Sequence, residues 1–313
     1  MAHATLPHRL AAGLVLLLSC SVAFANEVEQ RLRSEYRGKI LAERSFYSGE
    51  HLVYDSAGNL SSGGRVGDWT TDGFVQINDI RLSGQRLKIK ATRLMVVSQG
   101  QRGLQFAGES GTKHKKPKKS AVVQIDITAA AGALNDEWAN ALWSKVFLTS
   151  QDSFADAVPI YWKPCIEAAV SRRKDNCGLS SELSVVPGMS TPSRNPTDPL
   201  DQFPSGNSKE SDTPPPAGTL RVGNGVKPPR ATYQPEPSFS EPARKARYQG
   251  VVTMALIVDK DGLPQKIHIL NPLGGGLDAK AVEAVSTWKF HPAEKNGQPV
   301  AVQIAVEVDF HLY

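Results

Sequence analysis

Ser286–Val300 reads STWKFHPAEKNGQPV, and Val302–Phe310 follows as VQIAVEVDF. In the second stretch Val302, Ile304, Val306, Val308 and Phe310 alternate with Gln303, Ala305, Glu307 and Asp309. That period of two predicts a strand with one buried face. In the first stretch Trp288 and Phe290 flank Lys289, so the two rings pack inward while the lysine meets water. Pro292 stops any helix before it, and Asn296-Gly297 predicts a tight turn into the terminal strand. Working backward, Leu277–Val285 has helical spacing and opens on Leu277-Asp278. Pro264–Leu270 and Val251–Val258 read as strands joined by a turn over Asp259–Gly262. Ser240–Tyr248 has a serine cap and an early proline, and ends at Gly250. The order helix–strand–strand–helix–strand brings the last strand antiparallel beside the first. The expected C-terminal domain is therefore a three-stranded antiparallel sheet in the order 2-1-3 with two helices, its last strand on an edge.

Several of these residues together resemble the C-terminal domain of the TonB family over about residues 219–313. They are Gln234-Pro235-Glu236-Pro237, Gly250, Asp261-Gly262, Leu277-Asp278, Trp288-Lys-Phe290-His-Pro292, Asn296-Gly297 and the Val-x-Val-x-Phe ending at Phe310. The resemblance implies a periplasmic domain that binds the TonB box, a short segment of outer-membrane transporters. In the family a membrane-embedded N-terminal helix couples the domain, through motor proteins, to the proton gradient. This chain has no matching intramembrane serine-histidine arrangement, and it carries an extra domain of about 150 residues where the family usually has a hydrophobic helix followed by a proline-rich spacer.

The whole chain has 313 residues and a formal net charge of +5, which suggests two domains and gives no argument for nucleic acid. Residues 1–25 hold one positive charge, Arg9, then an apolar run to Phe24 that is short for a bilayer span, then Ala23-Phe24-Ala25. This is the pattern of a cleaved signal peptide. Two alternatives stay open: a lipid anchor on Cys20, since Leu17-Leu18-Ser19-Cys20 resembles a lipobox, and an uncleaved inner-membrane anchor. All three place the body of the protein in the periplasm or cell envelope. Residues 26–185 are expected to be a β-rich α+β domain of unidentified role. Strands are predicted at Leu52–Tyr54, Phe74–Leu82, Leu87–Leu94 and Val122–Ile127, forming a small antiparallel sheet or barrel. Helices are predicted from Leu134 to Leu148 and over Cys165–Arg172. The tryptophans at 69, 138, 143 and 162 read as core and rim, and the basic run Lys113–Lys119 as a solvated hairpin loop. Residues 186–232 are rich in proline and serine and nearly free of large apolar side chains, the composition of an extended linker. The TonB-like domain is then 233–313.

In an oxidising compartment Cys165 and Cys177 are expected to pair, provided the helix stops near Arg173 and the chain folds back through Lys174-Asp175-Asn176. Their spacing suits neither a redox CxxC motif nor a zinc site. No cofactor and no metal is indicated. His268 and His311 would share the solvent face of the sheet, with no further ligand beside them. No nucleophile–base pairing can be drawn, so the chain does not read as an enzyme. Two readings remain. One is a TonB-family protein that adds a partner's strand to its terminal edge, with Gln303, Ala305, Glu307 and Asp309 along it and Gln234, Pro235 and Pro237 flanking it. Motor proteins join the partners if the N-terminus is retained. The other is a soluble or lipid-anchored periplasmic binding module without energy transduction. In either, two alternatives for the edge stay open: a homodimer that takes it up, or cover by the chain near Val222–Val226.

Overall fold

The computed structural model describes residues 26–99, 103–107, 121–128, 135–170 and 216–313, with 179, 181–184, 186, 187 and 189 between them. The expected signal peptide, Cys20, the basic run 113–119 and Cys177 lie outside the described residues. Among the described residues no helix is long and apolar enough to cross a membrane.

The N-terminal unit is built on a six-stranded sheet. Its order is Ile40–Ala42, Phe74–Ser83, Arg86–Arg93, Val122–Thr128, His51–Tyr54, Leu60–Ser62. Alternation along the central strands turns Ile77, Ile89, Ala91, Val123, Ile125 and Leu52 to one face. A helix over 26–36 and the helix Asp136–Val146 cover that face. Asn135 caps the second helix through its side chain on Trp138 N, as the sequence pattern predicts. The sheet is not purely antiparallel: Val122–Thr128 runs parallel to His51–Tyr54. A parallel pair needs a long crossover, and alternation along either strand cannot announce it. Trp69, Trp143 and Trp162 are buried core residues.

The C-terminal unit matches the expected element order. Gly250–Val258 pairs antiparallel with Pro264–Asn271 on one side and with Val302–Phe310 on the other, the latter in unbroken register. The helices Glu241–Ala246 and Leu277–Val285 are both present. The sheet has four strands, not three, because Leu220–Arg221 adds parallel beside Val302–Gln303. Part of the stretch expected as linker over 186–232 is therefore in strands. Val226–Lys227 pairs with Ala293–Lys295, and Arg230–Tyr233 with Lys289–His291. Val186 and Met189 are buried in the core. Proline-rich composition hid these strands, whose side chains are mostly exposed and carry no alternation. Asn296-Gly297, at positive φ in both residues, turns Ala293–Lys295 back into Gln298–Val300 before the terminal strand begins.

Trp288 and Phe290 are buried and Lys289 is exposed, as their alternation predicts. Burying each ring contributes roughly 2–3 kcal/mol. Gly262 shows why the hairpin needs glycine. A Cβ there would lie 1.9 Å from Phe290 O, and its φ is +79°. The amide of Phe290 donates to Gly262 O at 2.9 Å, so the strand after Trp288 is pinned across the hairpin turn.

Candidate functional site

The outer edge of Val302–Phe310 is the candidate site. Leu220 N–H donates to Ala301 O at 2.8 Å, so Ala301 turns its backbone outward. Backbone groups alternate sides with a period of two. Gln303, Ala305, Glu307 and Asp309 therefore present their N–H and C=O groups to the same outer side. Arg221 stands opposite Gln303, and past that point no strand among the described residues pairs with this edge. Ala305, Glu307 and Asp309 have exposed side chains, whereas Val302, Val308 and Phe310 are buried. The unpaired length is thus an acidic, solvent-facing row on a strand anchored by its other face. Two carboxylates discourage chance pairing of such an edge without preventing it.

The other residues singled out in the sequence hold the domain together away from this outer edge. Gln234–Pro237 is anchored at the covered face: Trp288 Nε1 donates to Pro235 O at 3.4 Å, and Phe239 packs edge-on against Phe310 at 5.4 Å between centroids. Pro292 connects two short strands. Gly250 adopts φ +150° where a Cβ would press within 2.8 Å of Leu273 Cδ1. Gly297 supplies the second left-handed residue of its turn.

Asp278 is fully buried at the start of its helix and accepts from Leu273 N at 2.8 Å and Gly274 N at 2.6 Å. Burial pushes its carboxyl up to about 7, against the pull of those amides, and Asp68 nearby adds to the rise. Cys165 is buried on the helix Lys163–Val170, and its expected partner lies outside the described residues. His268 is buried in the hairpin strand and His311 is exposed beyond the terminal one, so the two do not share a solvent face. Among the described residues no cluster of His, Cys, Asp or Glu has the makings of a metal site.

Sequence reasoning missed the strand Leu220–Arg221, which shortens the free edge. Only the glycines around it at 218, 223 and 225, all at positive φ, hint at ordered turns in that stretch.

Residues 235–312 match the family model for the Gram-negative bacterial TonB protein C-terminal domain. The chain is 34% identical over 87 residues to Protein TonB of Vibrio cholerae serotype O1, covering 28% of this chain and 36% of that protein. It is 30% identical over 81 residues to Protein tonB2 of Pseudomonas aeruginosa, covering 26% of this chain and 30% of that protein. The chain thus spans about a third of the length of the curated relatives it matches. Among solved structures it is similar to the solution NMR structure of the Pseudomonas aeruginosa TonB CTD, with 22% identity and a TM-score of 0.23, over 29% of this chain and 90% of that one. Residues 235–312 of this chain, from the strip before the first helix to the end of the terminal strand, are a TonB-family C-terminal domain.

Proposed function

We propose that this chain is a cell-envelope protein that takes up an extended segment of an outer-membrane transporter beside Ala305–Asp309, in support of transport across that membrane. The observation that carries the reading is the unpaired outer edge of the terminal strand in a domain of TonB type. Backbone hydrogen bonds would supply most of the affinity, with modest sequence demand. Glu307 and Asp309 favour a segment with a basic residue on the same face. Export through residues 1–25 and a Cys165–Cys177 disulfide belong to the same reading, since both suit a periplasmic protein.

The test is titration of isotope-labelled protein with a peptide covering the transporter's extended segment. Amide shifts should concentrate at Ala305, Glu307 and Asp309. A variant Ala305→Pro with native circular dichroism should lose at least tenfold in affinity. Shifts confined to other elements, or undiminished binding by the folded variant, would end the edge mechanism.

A second reading, capture without energy transduction, draws on the close packing of the N-terminal unit against the TonB-type domain in one continuous apolar cluster. Transporter-dependent uptake in cells that have this chain as their sole TonB-type protein separates the two. Uptake supports transduction, and its absence despite peptide binding supports capture.

A further inference from the structure

We infer that the N-terminal unit is a built-in partner of the TonB-type domain. It grips the glycine turn before the helix Leu277–Val285 and closes the hairpin edge of the sheet, so that one edge remains for adding a strand. This inference stands whether or not that remaining edge takes up a transporter segment.

The grip is made of backbone groups. Gly275 N donates to Val96 O at 2.7 Å, and Ser98 N donates to Leu273 O at 2.8 Å. The Tyr248 hydroxyl lies 2.8 Å from Ser98 O and 2.9 Å from Leu273 O. Gly276 N donates to Thr70 Oγ1 at 2.7 Å, and that hydroxyl in turn donates to the carboxylate of Asp68. On its other side the turn is held by Asp278, through the amides of Leu273 and Gly274. The turn is therefore wedged between a carboxylate of each unit.

Glycine is demanded here by the other unit as well as by the turn. Gly274 has φ +83°, and a Cβ on it would lie 2.4 Å from Val96 O and 2.7 Å from Val97 Cα. A free helix start does not require a contact that close. Side chains fill in around it: Trp69, Val96, Phe106, Trp162 and Ile166 belong to the same apolar cluster as Ile269 and Leu277.

Among the described residues no strand lies on the outer side of the hairpin strand Pro264–Asn271. Its C-terminal half is covered instead. Ile269 N donates to Tyr161 O at 3.0 Å, and His268 and Ile269 are buried although they stand on an edge. Its N-terminal half begins with a proline, and Lys266 sits at φ +50° where the register with Gly250–Val258 shifts. Proline and a bulge are two of the ways proteins make an edge unfit for pairing. The hairpin edge is thus covered in one half and blunted in the other, and among the described residues the terminal strand past Gln303 is the edge left open.

Hydrogen exchange on the full chain tests this. The amides of Ser98, Ile269, Gly275 and Gly276 cross between the units. In the wild-type protein they should exchange as slowly as the amides joining Gly250–Val258 to Val302–Phe310. In the double variant Thr70→Val/Tyr248→Phe, which removes two hydroxyls with little change of shape, they should exchange at least tenfold faster, while the sheet amides stay unchanged. Fast exchange of the four amides in the wild-type protein would overturn the inference, whatever the variant does. So would a folded double variant with unaltered exchange at all four.

Discussion

The two units solve the problem of a small core differently. The C-terminal sheet rests on alternation and on glycines set where chains cross, and of its interior only Asp278 and His268 are buried polar side chains. The N-terminal unit buries a polar cluster around Arg93. Glu43 is fully buried, and neither of its carboxylate oxygens has a hydrogen-bond partner. Arg93 Nη1 stands 3.8 Å from Glu43 Oε1 and 3.6 Å from Asp72 Oδ1, and the guanidinium donates to the carbonyls of Asp72, Tyr47 and Gly49. Removing the guanidinium would leave three part-buried carbonyls and two carboxyl groups without their donor, whereas apolar contacts fail by degrees. Arg93→Met should therefore have the largest effect, about 3–5 kcal/mol of destabilisation, read by urea denaturation of the full chain. A loss under about 1 kcal/mol would mean that the cluster is no more demanding than the apolar sheet.

The C-terminal unit has its own weak point at a chain crossing. Gly262→Val would place its first side-chain carbon against Phe290 O and force a β-branched residue to φ +79°. The expected cost is about 3 kcal/mol, with Gly262→Ala somewhat milder, measured in the same denaturation series. Near-equal stability of Gly262→Val and wild type would show that the hairpin turn relaxes away from the strand after Trp288.

Protonation sharpens the comparison. Burial raises Glu43 from its ordinary value of 4.5 to about 8, with Arg93 pulling it down and Asp72 pushing it up. Burial raises Asp278 from 3.8 to about 7. Both folded-state values lie above the unfolded ones, so at these two carboxyls the folded protein holds more protons than the unfolded chain between about pH 4 and 8. The stability these groups contribute is present below pH 4 and is lost as pH rises through 7 and 8. Tm should fall by several degrees between pH 5 and pH 8.5. Glu43→Gln should flatten the upper part of that fall, and Asp278→Asn the part below pH 7. A Tm that rises over this interval would contradict both assignments.

How much of this was legible in the sequence follows from the same contrast. Trp288-Lys-Phe290, Asn296-Gly297 and the alternation of Val302–Phe310 act through near neighbours, so pattern alone placed them. The order of three of the sheet's four strands followed from one helix returning the chain. Leu220–Arg221 was not legible: two residues cannot show a period, and parallel addition leaves no local mark. Neither was the joint between the units. Gly274-Gly275-Gly276 reads as a loop, and its tight fit to Val96 depends on a strand more than 170 residues earlier. The Glu43–Arg93 pair is hidden for a related reason. Each residue looks like an ordinary surface charge, and burial is decided by the strands and the short helix Trp69–Asp72 that close over them. Local rules thus recover elements, while contacts between distant segments decide which edge is free.

The smallest predicted effect tests that last point. Leu220 N–H to Ala301 O is a single hydrogen bond from a two-residue strand whose side chains are half-buried. Leu220→Pro removes the donor and should cost no more than about 1 kcal/mol of stability. Its consequence for the edge is larger than its consequence for the fold. With Leu220–Arg221 released, Ala301 and Gln303 join Ala305, Glu307 and Asp309 in facing open water, and the free edge grows by two outward-facing positions. A peptide too short to reach past Ala305 should bind Leu220→Pro and wild type alike. A peptide of nine or ten residues should bind the variant a few-fold more tightly, because it can pair along the extra length. Fluorescence anisotropy with the two labelled peptides reads the difference. Equal affinities for the long peptide would mean that Leu220–Arg221 does not compete for the edge. Weaker binding of both peptides would mean that the strand instead holds the edge straight, and that the C-terminal sheet depends on a distant segment just as the N-terminal unit does.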